Sequence, residues 1–264
     1  MRQNRIKEIW AAGETAVNGW LAIPSPYSAE VMGHQGFDAV TIDMQHGMMG
    51  FDTAVSMFQA LSATPTVPFA RVLKNDSGLI MQLLDAGAYG IICPMVSTPE
   101  DARQFVAACR YPPQGVRSFG PARGLLYGGA DYFANADDEI ITMAMIETRE
   151  GLENLEEIVA TEGLDGIYVG PNDLCLALGV QPNAESTEQI VQDAIERIVD
   201  CCRVAGKGIG VFCSSGEAAA MRAKQGFNLV TPSNDANLLS KAARAEIATA
   251  RGKTAEKPES GSGY

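Results

Sequence analysis

One strand–helix–strand unit can be read directly from residues 140–173, IITMAMIETREGLENLEEIVATEGLDGIYVGPND. The apolar runs 140–146 and 166–169 predict two buried strands, and residues 152–161 between them have the periodicity of a helix. Glu147 closes the first strand and Asp173 follows the second. If the strands are parallel neighbours, both carboxylates emerge at one edge of the sheet. Their repulsion there requires a proton, a cationic partner or a divalent metal between them.

The same alternation of strand and helix extends in both directions from this unit. Short apolar runs predict strands at residues 16–21, 39–43, 66–71, 90–93, 140–147, 166–169, 208–212 and 229–231. After an opening helix at 3–12, helical patterns follow at 29–33, 53–63, 79–86, 100–109, 152–161, 188–205, 217–224 and 236–249. Eight such units in about 250 residues favour a closed (β/α)8 TIM barrel over an open doubly wound sheet. We predict one barrel over residues 1–251 and a disordered polar tail at 252–264.

Two features refine this architecture. No GxGxxG follows the first strand and no GxxxxGK[ST] occurs in the chain, so a Rossmann or P-loop nucleotide site lacks its motif. Residues 111–138 interrupt the rhythm with many glycines and prolines, which predict a long loop. A loop of that length inside a compact domain is usually functional.

Composition excludes several classes of function. The formal net charge of −12 argues against nucleic-acid binding, which needs a basic face. No run approaches the roughly 18 apolar residues of a membrane span, so we expect no membrane partner. The 6 cysteines form no CxxC pair, which favours reduced, buried thiols and a cytoplasmic location.

The carboxyl ends of barrel strands are where such folds carry their catalytic groups. In this chain those positions hold Trp20, Asp43 with His46, Arg71, Glu147, Asp173 and Phe212. Each also has a structural interpretation. The two acids at 147 and 173 could cap helices, the histidine could be a surface residue, and the arginine could only pair with one of those acids. The two aromatic rings could simply pack under the loops.

Six sequence blocks, taken in order, carry a family resemblance. They are DMQHG (43–47), FARV (69–72), QLLDAGAYGIICPMV (82–96), RYPPQGVRSFGPAR (110–123), IETREGLENLEEI (146–158) and GLDGIYVGPNDL (163–174). Together they resemble the HpcH/HpaI aldolase family, the metal-dependent class II pyruvate aldolases of the phosphoenolpyruvate-utilising barrel superfamily. The likeness extends over residues 13–249.

The resemblance implies roles for individual residues. Glu147 and Asp173 would hold a divalent metal, Mg²⁺ or Mn²⁺, with Co²⁺ as a substitute. Arg71 would contact the keto oxygen of a 2-oxo acid, and His46 with Asp43 would transfer a proton. The backbone at Gly170, Pro171, Asn172 and Asp173 would bind the substrate carboxylate. Independently of the resemblance, the positions of Trp20 and Phe212 at strand ends predict an apolar wall for the aldehyde. Asp85 and Phe119 would enter a neighbouring subunit's site, which requires a homo-oligomer, here a hexamer.

Two positions depart from the family pattern. Gln45 stands where many members have the glutamate of D-x-E-H, and Met145 stands where many have a glutamine two residues before the metal glutamate. Neither change removes a predicted metal ligand. Both bear on which donor and acceptor substrates are used.

The implied activity is that of a carbon–carbon lyase, a class II aldolase that reversibly cleaves 4-hydroxy-2-oxo acids to an aldehyde and a 2-oxo acid, pyruvate or hydroxypyruvate. A Schiff-base aldolase would need a strand-tip lysine, and only Lys74 lies beyond a strand end. The sequence is also compatible with an oxaloacetate decarboxylase or acyl-CoA lyase of the same superfamily, and with a non-catalytic barrel that binds a small acid.

Overall fold

The computed structural model describes residues 1–253 and has the predicted (β/α)8 architecture. Eight parallel strands follow one another around a closed barrel, and the last pairs with the first. The strands are β1 (Ala16–Leu21), β2 (Ala39–Asp43), β3 (Val67–Arg71), β4 (Gly90–Cys93), β5 (Ile141–Ile146), β6 (Gly166–Val169), β7 (Gly208–Cys213) and β8 (Leu229–Pro232). All eight predicted strands are therefore confirmed, with shifts of one residue at some ends.

Helices surround the barrel on the outside of the sheet. They are α1 (Arg5–Ala11), α2 (Pro26–Gly33), α3 (Phe51–Leu61), α4 (Ser77–Asp85), α5 (Pro99–Cys109), α6 (Ala122–Gly128), α7 (Tyr132–Glu139), α8 (Arg149–Glu153), α9 (Leu155–Val159), α10 (Pro171–Ala177), α11 (Gln189–Ala205), α12 (Gly216–Lys224) and α13 (Asp235–Ala250). The predicted disordered tail lies outside the described residues, except for residues 252 and 253. No helix in the described range is long and apolar enough to cross a membrane.

Two sequence predictions of local structure were wrong. The predicted loop at 111–138 contains helices α6 and α7: several of its glycines and prolines lie before α6, and Gly124 and Gly128 are accommodated within it. The single helix predicted at 152–161 is divided into α8 and α9 at Asn154, which ends one helix and begins the other. Thr148 starts α8 by accepting a hydrogen bond from the Gly151 amide.

Glycines make room for large rings inside the barrel. A Cβ on Gly210 would lie 2.4 Å from the Tyr168 ring, and one on Gly90 would lie 2.4 Å from the Phe69 ring. In each case the glycine is the direct register partner of the ring residue on the neighbouring strand. The barrel is thus a filled core in which small and large residues alternate between strands.

A polar layer lies in this core below the mouth of the barrel. The Asn18 amide contacts the hydroxyls of Thr41 and Thr231 at 3.0 and 2.9 Å. The Tyr168 hydroxyl lies 2.7 Å from that of Thr231. Buried polar groups of this kind are tolerated when they are hydrogen-bonded to one another. The layer fixes the position of the Tyr168 ring, which reaches up to the mouth.

Candidate active site

A narrow cavity lies at the carboxyl ends of the strands. Its lining consists of Trp20, Arg71, Met145, Tyr168, Gly170, Pro171, Asn172, Asp173 and Phe212. Seven of these nine residues were predicted from the sequence as site residues. Helix α10 begins at Pro171, immediately after β6 and Gly170, which brings Asn172 and Asp173 into its first turn at the cavity.

Arg71 and Asp43 form a buried ion pair beside this cavity. They occupy register-paired positions at the ends of β3 and β2. Arg71 Nε donates to Asp43 Oδ1 at 2.9 Å and Nη2 donates to Oδ2 at 2.6 Å. The guanidinium also lies 4.9 Å from the centre of the Trp20 ring, close enough for a cation–π contact. Arg71 is thus held in one orientation while it lines the cavity.

The Asp43 carboxylate organises the surrounding residues. Trp20 Nε1 donates to Oδ2 at 3.1 Å, and the backbone amides of Gln45 and His46 donate to Oδ1 at 3.0 and 3.2 Å. Burial opposes ionisation of Asp43, but the charge and hydrogen bonds of Arg71 outweigh it and lower the pKa of Asp43. In the hydrogen bond between His46 and Asp43 the donor is the His46 backbone amide. The His46 side chain is exposed.

Glu147 follows the end of β5 and is 3% exposed. Its Oε1 accepts a hydrogen bond from the Met95 amide at 2.8 Å. Its Oε2 lies against Gly170, where an added Cβ would approach within 2.1 Å. Burial raises the pKa of Glu147 to about 7; the Asp173 charge also raises it, while the Met95 hydrogen bond and the Arg71 charge lower it.

The two acids predicted from residues 140–173 are therefore neighbours whose charges interact. Asp173 lines the cavity itself, and Glu147 packs against Gly170 in its lining. No group of three or more His, Cys, Asp or Glu side chains able to hold a metal occurs in residues 1–253. Among side chains of these four types, the site therefore offers an ion this pair of carboxylates.

Aromatic rings give part of the cavity lining an apolar surface, in contrast to the two acids. The rings of Trp20 and Phe212 meet edge to face with 5.8 Å between their centres. Trp20 and Tyr168 are 5.7 Å apart. Trp20 and Phe212 are 1% and 7% exposed, so both are packed residues that also line the cavity.

Three residues of the site were missed or underweighted in the sequence. Tyr168 lies inside β6, two residues before Gly170, and inward alternation along that strand could have found it. Met145 was recognised only as a departure from the family pattern, although it lines the cavity. Met95 donates its backbone amide to Glu147 from a left-handed conformation, φ 57°, which cannot be predicted from the pattern of side chains.

Asp85 and Phe119 lie away from this cavity within the same chain. Asp85 ends α4 and forms an ion pair with Arg117, Oδ1 to Nη2 at 2.7 Å. The Arg117 guanidinium lies 4.5 Å from the centre of the Tyr111 ring. Tyr111 in turn lies 6.1 Å from Phe119, which is 67% exposed. Burial raises the pKa of Asp85, although Arg117 opposes this shift.

Comparisons with known proteins agree with this fold. The sequence profile of the HpcH/HpaI aldolase/citrate lyase family matches residues 18–242. The hydroxypyruvate/pyruvate aldolase of Rhizorhabdus wittichii is 43% identical over 248 residues, 94% of this chain and 99% of the relative. The 5-keto-4-deoxy-D-glucarate aldolase of Escherichia coli is 38% identical over 211 residues, 79% of this chain and 82% of that protein.

A comparison with solved structures also finds the fold of this family. An HpcH/HpaI aldolase/citrate lyase family protein of Burkholderia cenocepacia superimposes with a TM-score of 0.88 at 30% identity, covering 94% of this chain and 100% of that one. The chain belongs to the HpcH/HpaI aldolase/citrate lyase family. It is a carbon–carbon lyase of the aldolase type.

Proposed function

We propose that this enzyme is a divalent-metal-dependent class II aldolase that reversibly cleaves 4-hydroxy-2-oxo acids to an aldehyde and a 2-oxo acid, pyruvate or hydroxypyruvate. The observation that carries this proposal is that Asp173, which is partly exposed, lies next to the buried Glu147, beside the ion-paired Arg71. We further place the reaction in the cytoplasm, in keeping with six free cysteines in the described residues.

The two carboxylates fit a hard divalent cation. Glu147 is buried, is repelled by Asp173, and has a pKa raised to about 7, so the ionised pair is incompletely compensated by protein groups alone. Two carboxylates, completed by substrate and water oxygens, are a common ligand set for Mg²⁺ and Mn²⁺. Glu147 and Asp173 would hold the ion, and its charge would favour the enolate form of the 2-oxo acid. Mg²⁺ or Mn²⁺ is the proposed ion, with Co²⁺ as a substitute.

Arg71 serves as the fixed positive group of the site. Its two bonds to Asp43 and the contact with Trp20 orient the guanidinium without further reorganisation. From its place in the cavity lining it stabilises negative charge on the keto oxygen as the carbon–carbon bond breaks. Asp43 therefore acts on the reaction by positioning Arg71, as well as through the loop that carries His46.

The remaining groups bind substrate and move a proton. Backbone amides in the first turn of α10, at Asn172 and Asp173, bind the substrate carboxylate with the favourable end of the helix dipole. His46, exposed on the loop after β2, exchanges the proton of the aldol hydroxyl with solvent. Trp20 and Phe212 face the aldehyde portion of the substrate.

A neighbouring subunit completes the site in a hexamer. Asp85 is anchored by Arg117, whose guanidinium lies over the Tyr111 ring, and that ring in turn contacts exposed Phe119. A carboxylate linked through these contacts to an exposed aromatic ring is a suitable element for closing another protomer's cavity. Asp85 and Phe119, which do not line their own protomer's cavity, would then lie at the aldehyde side of a neighbouring one.

Metal-dependent release of pyruvate tests the function. The EDTA-treated protein is given a 4-hydroxy-2-oxo acid, and pyruvate is followed by coupled reduction, with Mg²⁺, Mn²⁺ and Co²⁺ added in turn. Turnover restored by a metal supports the proposal, whereas release of pyruvate that is indifferent to EDTA contradicts it. Trapping with borohydride serves as the control for a Schiff base, which the cavity lining disfavours because it contains no lysine.

The same assay distinguishes the other lyases. Oxaloacetate consumption without aldehyde formation would identify a decarboxylase, and absence of turnover with every 4-hydroxy-2-oxo acid would favour a small-acid-binding barrel. An acyl-CoA lyase is disfavoured because Arg71 is the only cationic side chain among the nine lining residues.

A further inference from the structure

A second, larger cavity lies at the amino-terminal end of the strands, away from the candidate active site. Its volume is about 1020 Å³. Asp165, Gly208 and Asn228 line it where β6, β7 and β8 begin, and α1, α11 and α12 supply its other walls. None of its residues takes part in the proposed aldolase chemistry. The volume is that of a cavity for a small metabolite.

One side of this cavity is apolar, and packing and a hydrogen bond fix the position of its main residue, Trp10. The Trp10 ring packs on the start of β7, where a Cβ on Gly208 would lie 2.6 Å from the ring. Trp10 Nε1 donates to the Asn228 carbonyl at 2.8 Å, which fixes the orientation of the indole. Ile195 and Val199 of α11 also line the cavity. A planar or aliphatic part of a ligand would find a preformed surface here.

The charged groups of the lining are predominantly basic. The cations are Lys7, Arg203, Lys207, Arg222 and Lys224, and the acids are Asp165, Glu196 and Asp200. This local excess of positive charge occurs in a chain whose formal net charge is −12. Basic residues near helix C-termini are common because they complement the helix dipole. That explanation is sufficient for the exposed cations Arg203 and Lys224; Arg222 also lies in the last turn of α12, but the helix dipole does not account for its burial.

Intramolecular pairing accounts for only two of the five cations. Lys7 pairs with Asp165 at 3.1 Å and Arg203 pairs with Asp200 at 2.8 Å. The ion pairs found within residues 1–253 do not include Arg222. Nor do they include Lys207 or Lys224, the other two cations of the lining.

Arg222 is the unusual member of this set. It is 2% exposed, and its Nη1 donates to the Gln225 side-chain oxygen at 2.9 Å. The guanidinium lies 5.9 Å from the centre of the Phe227 ring. Burial lowers the pKa of Arg222, and Cys213 and Glu185 raise it only through longer-range charge interactions. A buried guanidinium without a paired carboxylate is costly, and an anion from solution would remove that cost.

We propose that this cavity binds a small metabolite bearing an oxyanion, a phosphate or a carboxylate, which pairs with Arg222 while its body lies against Trp10. Arginine suits both anions because its planar fork can donate two parallel hydrogen bonds. Lys207 and Lys224 supply further positive charge at the rim. The site is separate from the cavity that binds the aldolase substrate, since the two occupy opposite ends of the strands.

Tryptophan fluorescence offers a direct test, because the chain has 2 tryptophans, one in each cavity. In the full-length Trp20→Phe variant, emission reports on Trp10 alone. The variant is titrated with inorganic phosphate and, separately, with succinate, at an ionic strength held constant with chloride. We expect a saturable change in emission. Saturation by phosphate alone identifies a phosphate site, and saturation by succinate alone identifies a carboxylate site. Saturation by both supports the shared chemistry, and no saturable change with either anion overturns the proposal.

A matched pair of charge variants locates the anion. Arg222→Gln, in the same background, should weaken binding by about 10-fold or more because it removes the buried charge. Lys241→Gln removes the same charge from the exposed face of α13 and should leave the affinity within about two-fold. Equal weakening by both substitutions would mean diffuse attraction and would overturn the site. If Arg222→Gln fails to fold, exposed Lys224→Gln replaces it, with an expected loss of about three-fold; an unchanged affinity then overturns the proposal.

Discussion

Arg71 and Asp43 face each other across two neighbouring strands and form a bidentate ion pair, with N–O distances of 2.9 and 2.6 Å. This relationship makes Asp43 the residue that orients the only cation of the cavity lining. A planar guanidinium can satisfy Asp43 with two bonds and still present its edge to a substrate. An ammonium group cannot do both in the same geometry.

Arg71→Lys should therefore lower kcat by about 100-fold while the positive charge is retained. The physical reason is the loss of an oriented donor, so KM should change much less than kcat. Steady-state kinetics on the metal-saturated enzyme measure the effect. Arg103→Lys, in the exposed pair with Glu100, is the matched control and should be neutral. An Arg71→Lys enzyme with normal kcat would show that Arg71 serves structure alone.

Glu147→Gln and Asp173→Asn should each abolish metal-dependent turnover and weaken Mn²⁺ binding by at least about 10-fold, because a neutral amide replaces an anionic ligand. Isothermal titration calorimetry with Mn²⁺ measures binding independently of activity. Glu150→Gln, a nearby exposed acid on α8, is the control and should bind Mn²⁺ normally. Near-normal Mn²⁺ affinity in either site variant would remove the assignment of that carboxylate.

The pH dependence of stability offers a second test of Glu147. In the metal-free protein its pKa is raised from 4.5 to about 7. Between these values the folded state binds more protons than the unfolded state, so the free energy of unfolding falls as pH rises through this window. The loss is at most roughly 3 kcal/mol and is complete above the folded-state pKa. Urea unfolding in EDTA at about pH 5 and about pH 8 measures it.

Two comparisons isolate this contribution. Glu147→Gln cannot ionise, so its free energy of unfolding should lack this fall with pH. Saturating Mg²⁺ should reduce the fall in the unsubstituted protein, since a cation stabilises the ionised carboxylates. An identical pH profile for the Glu147→Gln and unsubstituted proteins in EDTA would mean that Glu147 titrates normally.

The sequence predicted the fold and most of the candidate site for a physical reason. Parallel buried strands leave little freedom at their ends, so Glu147 and Asp173 could be brought together without knowing any register. The partner of Arg71 could not be found in this way, because pairing with Asp43 depends on the register of β2 against β3. Tyr168 was missed because only the ends of strands were considered, although alternation along β6 directs its ring inward, next to Gly210.

Local structure between strands was less predictable. Helices α6 and α7 are seven and eight residues long and bury few side chains, so their apolar periodicity is weak. The glycines of residues 111–138 indicated a loop because glycine has low helix propensity. Packing overrides that propensity at Gly124 and Gly128, where an added Cβ would approach the Tyr132 ring within 3.2 and 2.5 Å.

The proposed contribution of Asp85 to a neighbouring subunit predicts complementation between inactive variants. Asp85→Asn and Glu147→Gln should each be inactive as homo-oligomers. If sites are shared between subunits, co-refolding the two variants should restore part of the activity. Some sites then combine an intact Glu147 with an intact Asp85 from the neighbouring subunit. Sedimentation must show the same oligomer for both. Failure to recover activity in verified mixed oligomers would show that Asp85 acts within its own chain, through Arg117.

Phe212 is expected to govern the aldehyde rather than the 2-oxo acid. It is 7% exposed, lines the cavity, and meets the Trp20 ring at 5.8 Å. Trp20 is a poor test of this wall because it also donates to Asp43 and lies against Arg71. Phe212→Leu and Phe212→Ala should alter the preference between small and large aldehydes, while enolate formation is largely retained.

Two rates distinguish this role from a structural one. Proton–deuterium exchange at C3 of the 2-oxo acid reports enolate formation, and aldol addition to small and large aldehydes reports the second half of the reaction. A smaller side chain leaves space beside Trp20, so addition to large aldehydes should gain relative to small ones by several-fold, while exchange changes little. Removing the whole ring can cost about 3–5 kcal/mol of stability, which is why the leucine variant is measured alongside alanine. If both variants depress exchange and addition equally for every aldehyde, the Phe212 ring supports the fold or the carboxylate pair, and its assignment to the aldehyde wall is wrong.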